Sequence, residues 1–193
     1  MTESFVARWI SIGAALVTLL VTASISVDPV NVPKLLVTAG LGLGMWFIVI
    51  AFHAKSLWVE NRSLFIATSL YLVMGVMTLF TSNAPVTQNV YGVSGRNTGF
   101  LAYFSFVGIM LACSQLRDTK SFNKILYALF FAGSLEVFYA FLQFSGHDFI
   151  KWNNIYNSIL GTLGNPDFSS AFLGIFIAGL VAYIFKPGLS WSL

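Results

Sequence analysis

The chain has 193 residues, of which 57% are hydrophobic, 16% aromatic and only 9% charged. A soluble domain carries about one quarter charged residues, so the ten basic and seven acidic side chains here cannot cover a water-facing surface. The composition therefore predicts a membrane protein. The basic residues are scattered over short loops and form no stripe that tracks a phosphate backbone, which argues against a nucleic-acid partner.

Six apolar segments, each bounded by charge, proline or a polar cluster, predict an all-α bundle of six transmembrane helices. Their 18 to 22 residues, at about 1.5 Å per residue, are long enough for a hydrocarbon core of about 30 Å. Barrel strands would alternate polar and apolar residues, which the continuous apolar run 47–52 does not. The predicted helices are 9–27, 35–52, 64–81, 99–116, 123–144 and 168–185.

The distribution of lysine and arginine predicts the orientation of this bundle. With a cytoplasmic N-terminus, seven basic residues fall on the cytoplasmic side and three on the other, as the positive-inside rule requires. The seven are Arg8, Lys55, Arg62, Arg117, Lys120, Lys124 and Lys186, and the three are Lys34, Arg96 and Lys151. The cytoplasmic connections, at 53–63 and 117–122, are then short and basic. The outer connections, at 82–98 and 145–167, are longer and rich in Gly, Asn, Ser and Thr, as binding loops often are.

The last residues predict that the chain continues. After the sixth segment, Lys186-Pro187-Gly188 leads into residues 189–193, which resemble the approach to another membrane segment. We therefore expect residues 1–193 to be one membrane-embedded domain that forms the N-terminal part of a longer protein.

The sequence indicates no metal, nucleotide or other cofactor. His53 and His147 fall on opposite sides in this topology, and the single cysteine, Cys113, lies inside an apolar run, so three metal ligands do not converge. His147 beside Asp148 directs the two side chains apart, and no nucleophile elbow is present. The glycine cluster at 161–166 lacks the lysine of a phosphate loop and lies on the side opposite to ATP.

Glu136 is the most unusual residue in the predicted bilayer. It lies midway along the fifth segment, where a carboxylate is costly unless it is paired, hydrated or protonated. One interpretation is a proton-accepting or ligand-facing group. The other is a carboxyl that ties helices together, with Tyr139 or Gln143 on the same helix face at i+3 and i+7.

Arg96 is the second candidate, in Gly95-Arg96-Asn97-Thr98-Gly99 at the outer mouth of the fourth segment. A guanidinium beside helix N-terminal amides, with Thr98 able to cap the helix, is a natural phosphate site. An arginine anchored to lipid head groups is the alternative.

The turn that enters the sixth segment is the third candidate. Asn165 precedes a proline and is therefore biased away from helix, and either Asn165 or Asp167 can cap the helix that follows, with Pro166 in its first turn. Capping alone accounts for these polar residues, while a role in binding stays open.

These motifs, in this order, resemble the O-antigen ligase and O-antigen polymerase superfamily, which includes bacterial O-oligosaccharyltransferases. The resemblance covers about residues 80–185. It rests on the Gly95–Gly99 motif, on a helix that ends in Tyr139-Ala140-Phe141-Leu142-Gln143-Phe144, and on Gly161-Thr162-Leu163-Gly164-Asn165-Pro166-Asp167-Phe168 before an apolar helix.

The resemblance implies a multi-pass protein of the bacterial inner membrane. Such proteins transfer a glycan from undecaprenyl diphosphate, at the periplasmic face, to a glycan, lipid or protein acceptor, without a metal or nucleotide. It implies that Arg96 contacts the diphosphate or a sugar and that the turn at Asn165 forms a wall of the donor cavity. With these residues we group Asn97, Gln143, Glu136 and Asp167 as candidate substrate-binding residues.

Two features of this chain depart from the family pattern. The family has ten or more helices, and its large periplasmic loop with an essential histidine and arginine follows the region present here. Asp167 stands where the family turn usually has Asn. The alternative function is a small non-enzymatic membrane protein, either a proton-coupled carrier that uses Glu136 or a subunit of a membrane complex.

Overall fold

The computed structural model describes residues 3–22, 28–152 and 159–185, and every regular element within these ranges is helical. The predicted all-α class is thereby confirmed. The elements are α1 (Glu3–Leu19), α2 (Asn31–Ile48), a π-helical turn (Val49–His53), α3 (Ala54–Glu60), α4 (Arg62–Thr81), α5 (Val86–Tyr91), α6 (Phe100–Cys113), α7 (Thr119–Phe144) and α8 (Pro166–Ile184).

Long apolar helices dominate the structure. In the described residues, four helices are long and apolar enough to cross a membrane: the continuous run from α2 through α3, then α4, α7 and α8. Helix α6 is apolar but has only 14 residues. Large apolar side chains point outward, for example Phe80, which is 84% exposed. Such a surface is stable in lipid and not in water, which supports a membrane protein.

Most predicted segments agree with the structure. Those at 64–81, 99–116, 123–144 and 168–185 match α4, α6, α7 and α8 to within four residues at either end. The prediction of a first helix over 9–27 is wrong at both ends. Helix α1 includes the charged first turn from Glu3 and ends at Leu19, residues 20–22 are not helical, and 23–27 lie outside the described residues.

The two loops predicted after the second and third segments are partly helical. The connection expected at 53–63 is helical up to Glu60, because the π-helical turn carries α2 into α3 and the helix breaks only at Asn61. The loop expected at 82–98 contains α5, one and a half turns long. Both helical stretches are too short for a pattern of apolar residues to predict them.

The helices pack around α1 and α2. Helix α1 contacts both α2 and α7, α6 packs on α2, α8 on α7 and α4 on α6. Apolar side chains from α1, α2, the π-helical turn, α3 and α6 form the core: Val6, Ile10, Met45, Ile48, Val49, Leu57, Val107, Leu111 and Ala112. A core this small leaves α4 and α8 mostly exposed, so their outer surfaces are available to lipid.

Successive connections between the helices lie at opposite ends of the bundle, and hydrogen bonds hold the connections together at each end. At one end, which we call the basic end, the Glu3 carboxylate accepts from the backbone N–H groups of Arg117 and Asp118, at 2.7 and 2.8 Å. There the Arg117 guanidinium also donates to Glu60, at 2.6 Å. At the other, the loop end, the Asn31 amide nitrogen donates to the carbonyl oxygen of Gly95, at 2.9 Å.

A close helix contact fixes α6 on α2. A Cβ added at Gly42 would collide with the backbone of Ser105, whereas a Cβ at Gly40 or Gly44 would meet nothing within 4 Å. Of these three glycines of α2, only Gly42 is therefore needed for the close approach of α6. Small residues let helix backbones approach in this way in membranes.

We expect Gly42→Ala to destabilise the fold by about 1–3 kcal/mol, because the new methyl group has to push α6 away from α2. Gly40→Ala and Gly44→Ala are matched controls on the same helix and should be neutral or slightly stabilising. Unfolding in detergent micelles measures all three. Equal stability of the Gly42 and Gly40 variants would contradict this account of the contact.

Candidate functional site

Two opposite charges are buried together at the loop end. Glu136 on α7 has no exposed surface, and Lys34 near the start of α2 is only 9% exposed. Thr162 lies between them. Its backbone N–H donates to both carboxylate oxygens of Glu136, at 3.1 Å, and its carbonyl oxygen accepts from the Lys34 Nζ, at 2.9 Å. One residue thus links the two charges, which attract each other electrostatically.

Two further helices complete the network, α1 through a backbone carbonyl and α8 through a side chain. The Thr162 hydroxyl is placed to donate to Glu136 or to the carbonyl of Thr18 at the end of α1, and Lys34 donates to that same carbonyl at 2.9 Å. The Ser169 hydroxyl on α8 lies 3.2 Å from the other Glu136 oxygen. Residues of α1, α2, α7 and α8 therefore meet through hydrogen bonds. Burial of a charge is costly unless such partners are present.

The structural interpretation of Glu136 holds in outline, but its predicted partners are wrong. Neither Tyr139 nor Gln143 bonds to Glu136. Gln143 instead accepts from the Gly161 N–H and donates to Asp148, both at 2.8 Å, and the Tyr139 hydroxyl donates to Asp148 at 2.7 Å. Glu136 and Gln143 thus hold adjacent residues of the same turn.

The glycine loop that carries Arg96 folds back on itself. Gly92 and Gly99 touch at its base, where a Cβ on either would collide with backbone atoms of the other side. Gly92, Gly95 and Asn97 have positive φ values of 90°, 85° and 52°, as a tight loop requires. The Arg96 side chain is exposed near the tip. The prediction that Thr98 caps the next helix is wrong, because α6 begins after Gly99 without a side-chain cap.

The turn before α8 is built as a helix cap. The Asn165 side-chain oxygen accepts from the Asp167 N–H at 2.8 Å, and Pro166 occupies the first turn, which confirms the capping interpretation. Asp167 is exposed in that first turn. Gly164, with φ 70°, lies against Val30 so closely that a Cβ would collide with the valine side chain.

Both polar loops rest on the first turn of α2. Asn31 donates to Gly95 in one loop, while Val30 and Lys34 contact Gly164 and Thr162 in the other. The candidate residues thus fall into two groups at the same end: Arg96 and Asn97 in one loop, and Glu136, Gln143, Asn165 and Asp167 around the other. Sequence reasoning counted Lys34 as a loop cation. Its position just before the apolar segment at 35–52 gave no signal that it is buried.

A groove of about 500 Å³ lies beside the Arg96 loop, between α4, α5 and α6. Its lining includes the apolar side chains of Leu72, Met74 and Phe100 and the amides of Gln88 and Asn89, together with the glycine loop. Val93 and Thr98, on either side of Arg96 in sequence, line it. A single ligand in this groove would therefore contact both apolar and polar groups, which we call its apolar wall and polar rim.

Comparison with protein-family models, with curated proteins and with solved structures gives no match to this chain. Within the described residues, no group of three or more histidine, cysteine, aspartate or glutamate side chains is placed to hold a metal ion. The functional assignment therefore depends on the groove, the two loops and the buried network.

We expect Gly161→Ala to be strongly destabilising, for two reasons. Gly161 has φ 61°, a conformation that costs an alanine about 1–2 kcal/mol, and its new Cβ would collide with the Glu136 carboxylate, which adds about 1–3 kcal/mol. Gly146→Ala is the matched control, because Gly146 has φ 77° but open space around it. In chemical denaturation, the Gly161 variant should lose more unfolding free energy than the Gly146 variant, and the difference should equal the cost of the collision. Equal losses would show that Glu136 does not pack against this turn.

Proposed function

We propose that this chain binds the donor in a bacterial inner-membrane glycosyltransferase. The enzyme takes a glycan from undecaprenyl diphosphate at the periplasmic face and transfers it to a glycan, lipid or protein acceptor. The substrate class comes from the resemblance of the two loop motifs and the end of α7 to the O-antigen ligase superfamily. The groove between α4, α5 and α6 is the observation that carries the proposal.

The groove matches the chemistry of a polyprenyl diphosphate. Such a lipid has a long apolar chain and a compact anionic head, and it needs an apolar wall that ends at hydrogen-bond donors and positive charge. The groove is lined by apolar side chains such as Leu72 and Met74 and by the amides of Gln88 and Asn89, and the exposed Arg96 lies on the adjoining loop. A planar guanidinium is well suited to hold a diphosphate by paired hydrogen bonds.

The proposed topology has six membrane crossings with a cytoplasmic N-terminus, so α1 and α6 join the four longer spans. Two observations support it. The N-terminus of α1, the end of α3 and the connection before α7 share hydrogen bonds at the basic end, while both polar loops meet at the other. The basic residues are also concentrated at the basic end, as expected for a cytoplasmic side.

The two loops have different roles in this proposal. Arg96 and Asn97 contact the diphosphate or the first sugar, and the charge of Arg96 stabilises the diphosphate as it leaves. Asn165 and Asp167 shape the start of α8, and Glu136 and Gln143 hold the turn before it. We assign donor binding to this chain and leave the deprotonation of the acceptor hydroxyl unassigned.

The enclosure of Glu136 favours this function over a proton-coupled carrier. A carrier carboxylate has to exchange protons with water during its cycle. Glu136 has no exposed surface, and both of its oxygens accept hydrogen bonds from Thr162 or Ser169. Its partners fit a residue that fastens helices together.

Arg96→Ala should weaken the binding of undecaprenyl diphosphate about tenfold or more, because a charge-assisted hydrogen bond to phosphate is lost. Titration of the lipid against the full chain in phosphatidylcholine nanodiscs measures this. Arg8→Ala removes an exposed arginine at the basic end and should leave the affinity unchanged. Wild-type affinity in the Arg96 variant, or an equal loss in the Arg8 variant, would reject the proposed site.

A further inference from the structure

A second polar cluster lies at the C-terminal end of α7, separate from the groove. The carboxylate of Asp148 accepts from the Tyr139 hydroxyl at 2.7 Å, from the Gln143 amide at 2.8 Å and from the Ile150 N–H at 2.9 Å. The Trp152 indole donates to the Tyr139 hydroxyl at 2.9 Å. The carboxylate is thus held in one orientation, although the residue itself is exposed.

An aromatic ring stands beside this carboxylate. Phe149 follows Asp148 in the chain, and its ring centroid lies 5.0 Å from that of Tyr139, with the two planes tilted by 53°. Phe149 is nevertheless 72% exposed. Tyr139 therefore supports the ring from one side and leaves most of its surface free. An exposed ring supported on one side, beside a fixed hydrogen-bond acceptor, is an arrangement that can bind a ligand at low entropic cost.

Asp148 keeps its negative charge in this setting. Partial burial raises its pKa, but the hydrogen bonds from Gln143, the Ile150 N–H and Tyr139 outweigh that effect, and the net pKa lies below its ordinary value. The carboxylate is therefore an acceptor only, and of its four lone-pair sites one, on Oδ2, is left by the three hydrogen bonds that it already accepts.

We propose that Phe149 and Asp148 form a binding site for a pyranose ring of a glycan. A pyranose has an apolar face of C–H groups, which stacks on an aromatic ring, and hydroxyl groups at its edge, which donate to a carboxylate. Phe149 offers the first contact and Asp148 the second. This inference rests on the proposed function, since it names the site that holds a sugar of the transferred or accepting glycan.

The Asp148 carboxylate beside the ring favours sugar binding by Phe149 over membrane anchoring. An aromatic residue that anchors a protein at the interface is usually Trp or Tyr, and cationic residues strengthen such contacts with anionic lipid. Here the exposed ring is a phenylalanine next to the fixed carboxylate of Asp148, which anionic head groups repel; the exposed Lys151 follows two residues later. Trp152 belongs to the same cluster, but its indole N–H is used in the hydrogen bond to Tyr139. Sugar hydroxyls carry no charge and are attracted to the carboxylate.

Saturation-transfer NMR on the full chain in phosphatidylcholine nanodiscs tests the proposal. The probes are free maltotriose, the β-linked trimer of N-acetylglucosamine and the α-linked trimer of mannose. We expect at least one to bind, and Phe149→Ala, Phe149→Leu and Asp148→Asn to weaken that binding at least about fivefold, the scale of one stacking contact or hydrogen bond. Phe144→Ala is the matched control, because Phe144, the last residue of α7, is 76% exposed and has no carboxylate next to it in the chain.

Three results would overturn the proposal. They are the absence of binding by all three sugars to the wild-type chain, unchanged binding by both Phe149 variants, and quenching of a Phe149→Trp fluorophore by brominated lipid, which indicates a membrane anchor. Because the probes carry no diphosphate lipid, their failure does not affect the Arg96 result. Conversely, if Arg96→Ala leaves lipid binding unchanged while the sugars still bind, only the proposal of donor binding in the groove is rejected.

Discussion

The electrostatic link from Lys34 through Thr162 to Glu136 is the interaction on which the loop end of this protein depends. A lysine and a glutamate in an apolar bundle each lose several kcal/mol of hydration, and they stay charged only if each finds a partner. Thr162 serves both at once, since its carbonyl faces the ammonium and its N–H faces the carboxylate. The network also includes Thr18 and Ser169, and it thereby fastens four helices at one level.

This link fixes one of the two polar loops, and the first turn of α2, which carries Lys34, also holds the other. The turn at 161–165 is held from below by Glu136 and from the side by Val30, while the loop at 92–99 is held by Asn31 one residue along α2. The first turn of α2 is thus the common support. A groove with an apolar wall and a polar rim opens beside the second of these loops. Rigid placement of loops by buried helices is what a binding site for a large lipid-linked substrate requires.

The parts of this structure that depend on composition were predictable. Long apolar runs fix the helical class and most helix limits, and Asn165 before Pro166 fixes the cap of α8, because both signals are local. The partners of Glu136 were not predictable. The i+3 and i+7 rule places Tyr139 and Gln143 near it on the helix, but Thr162, 26 residues away, provides the hydrogen bonds. The burial of Lys34 was not predictable either, because a lysine near the start of a helix can be either exposed at the loop or buried.

A double-mutant cycle on Lys34→Met and Glu136→Gln tests the central interaction most directly, with the free energy of unfolding in detergent as the readout. Each single variant leaves one buried charge with its hydrogen bonds to Thr162 but without the opposite charge nearby, and should cost up to about 3–5 kcal/mol. The double variant should lose less than the sum, with a coupling of at least about 1 kcal/mol. The exposed pair Arg117 and Glu60 provides a control cycle, where coupling should stay below about 1 kcal/mol. Strict additivity of the Lys34 and Glu136 variants would contradict the account.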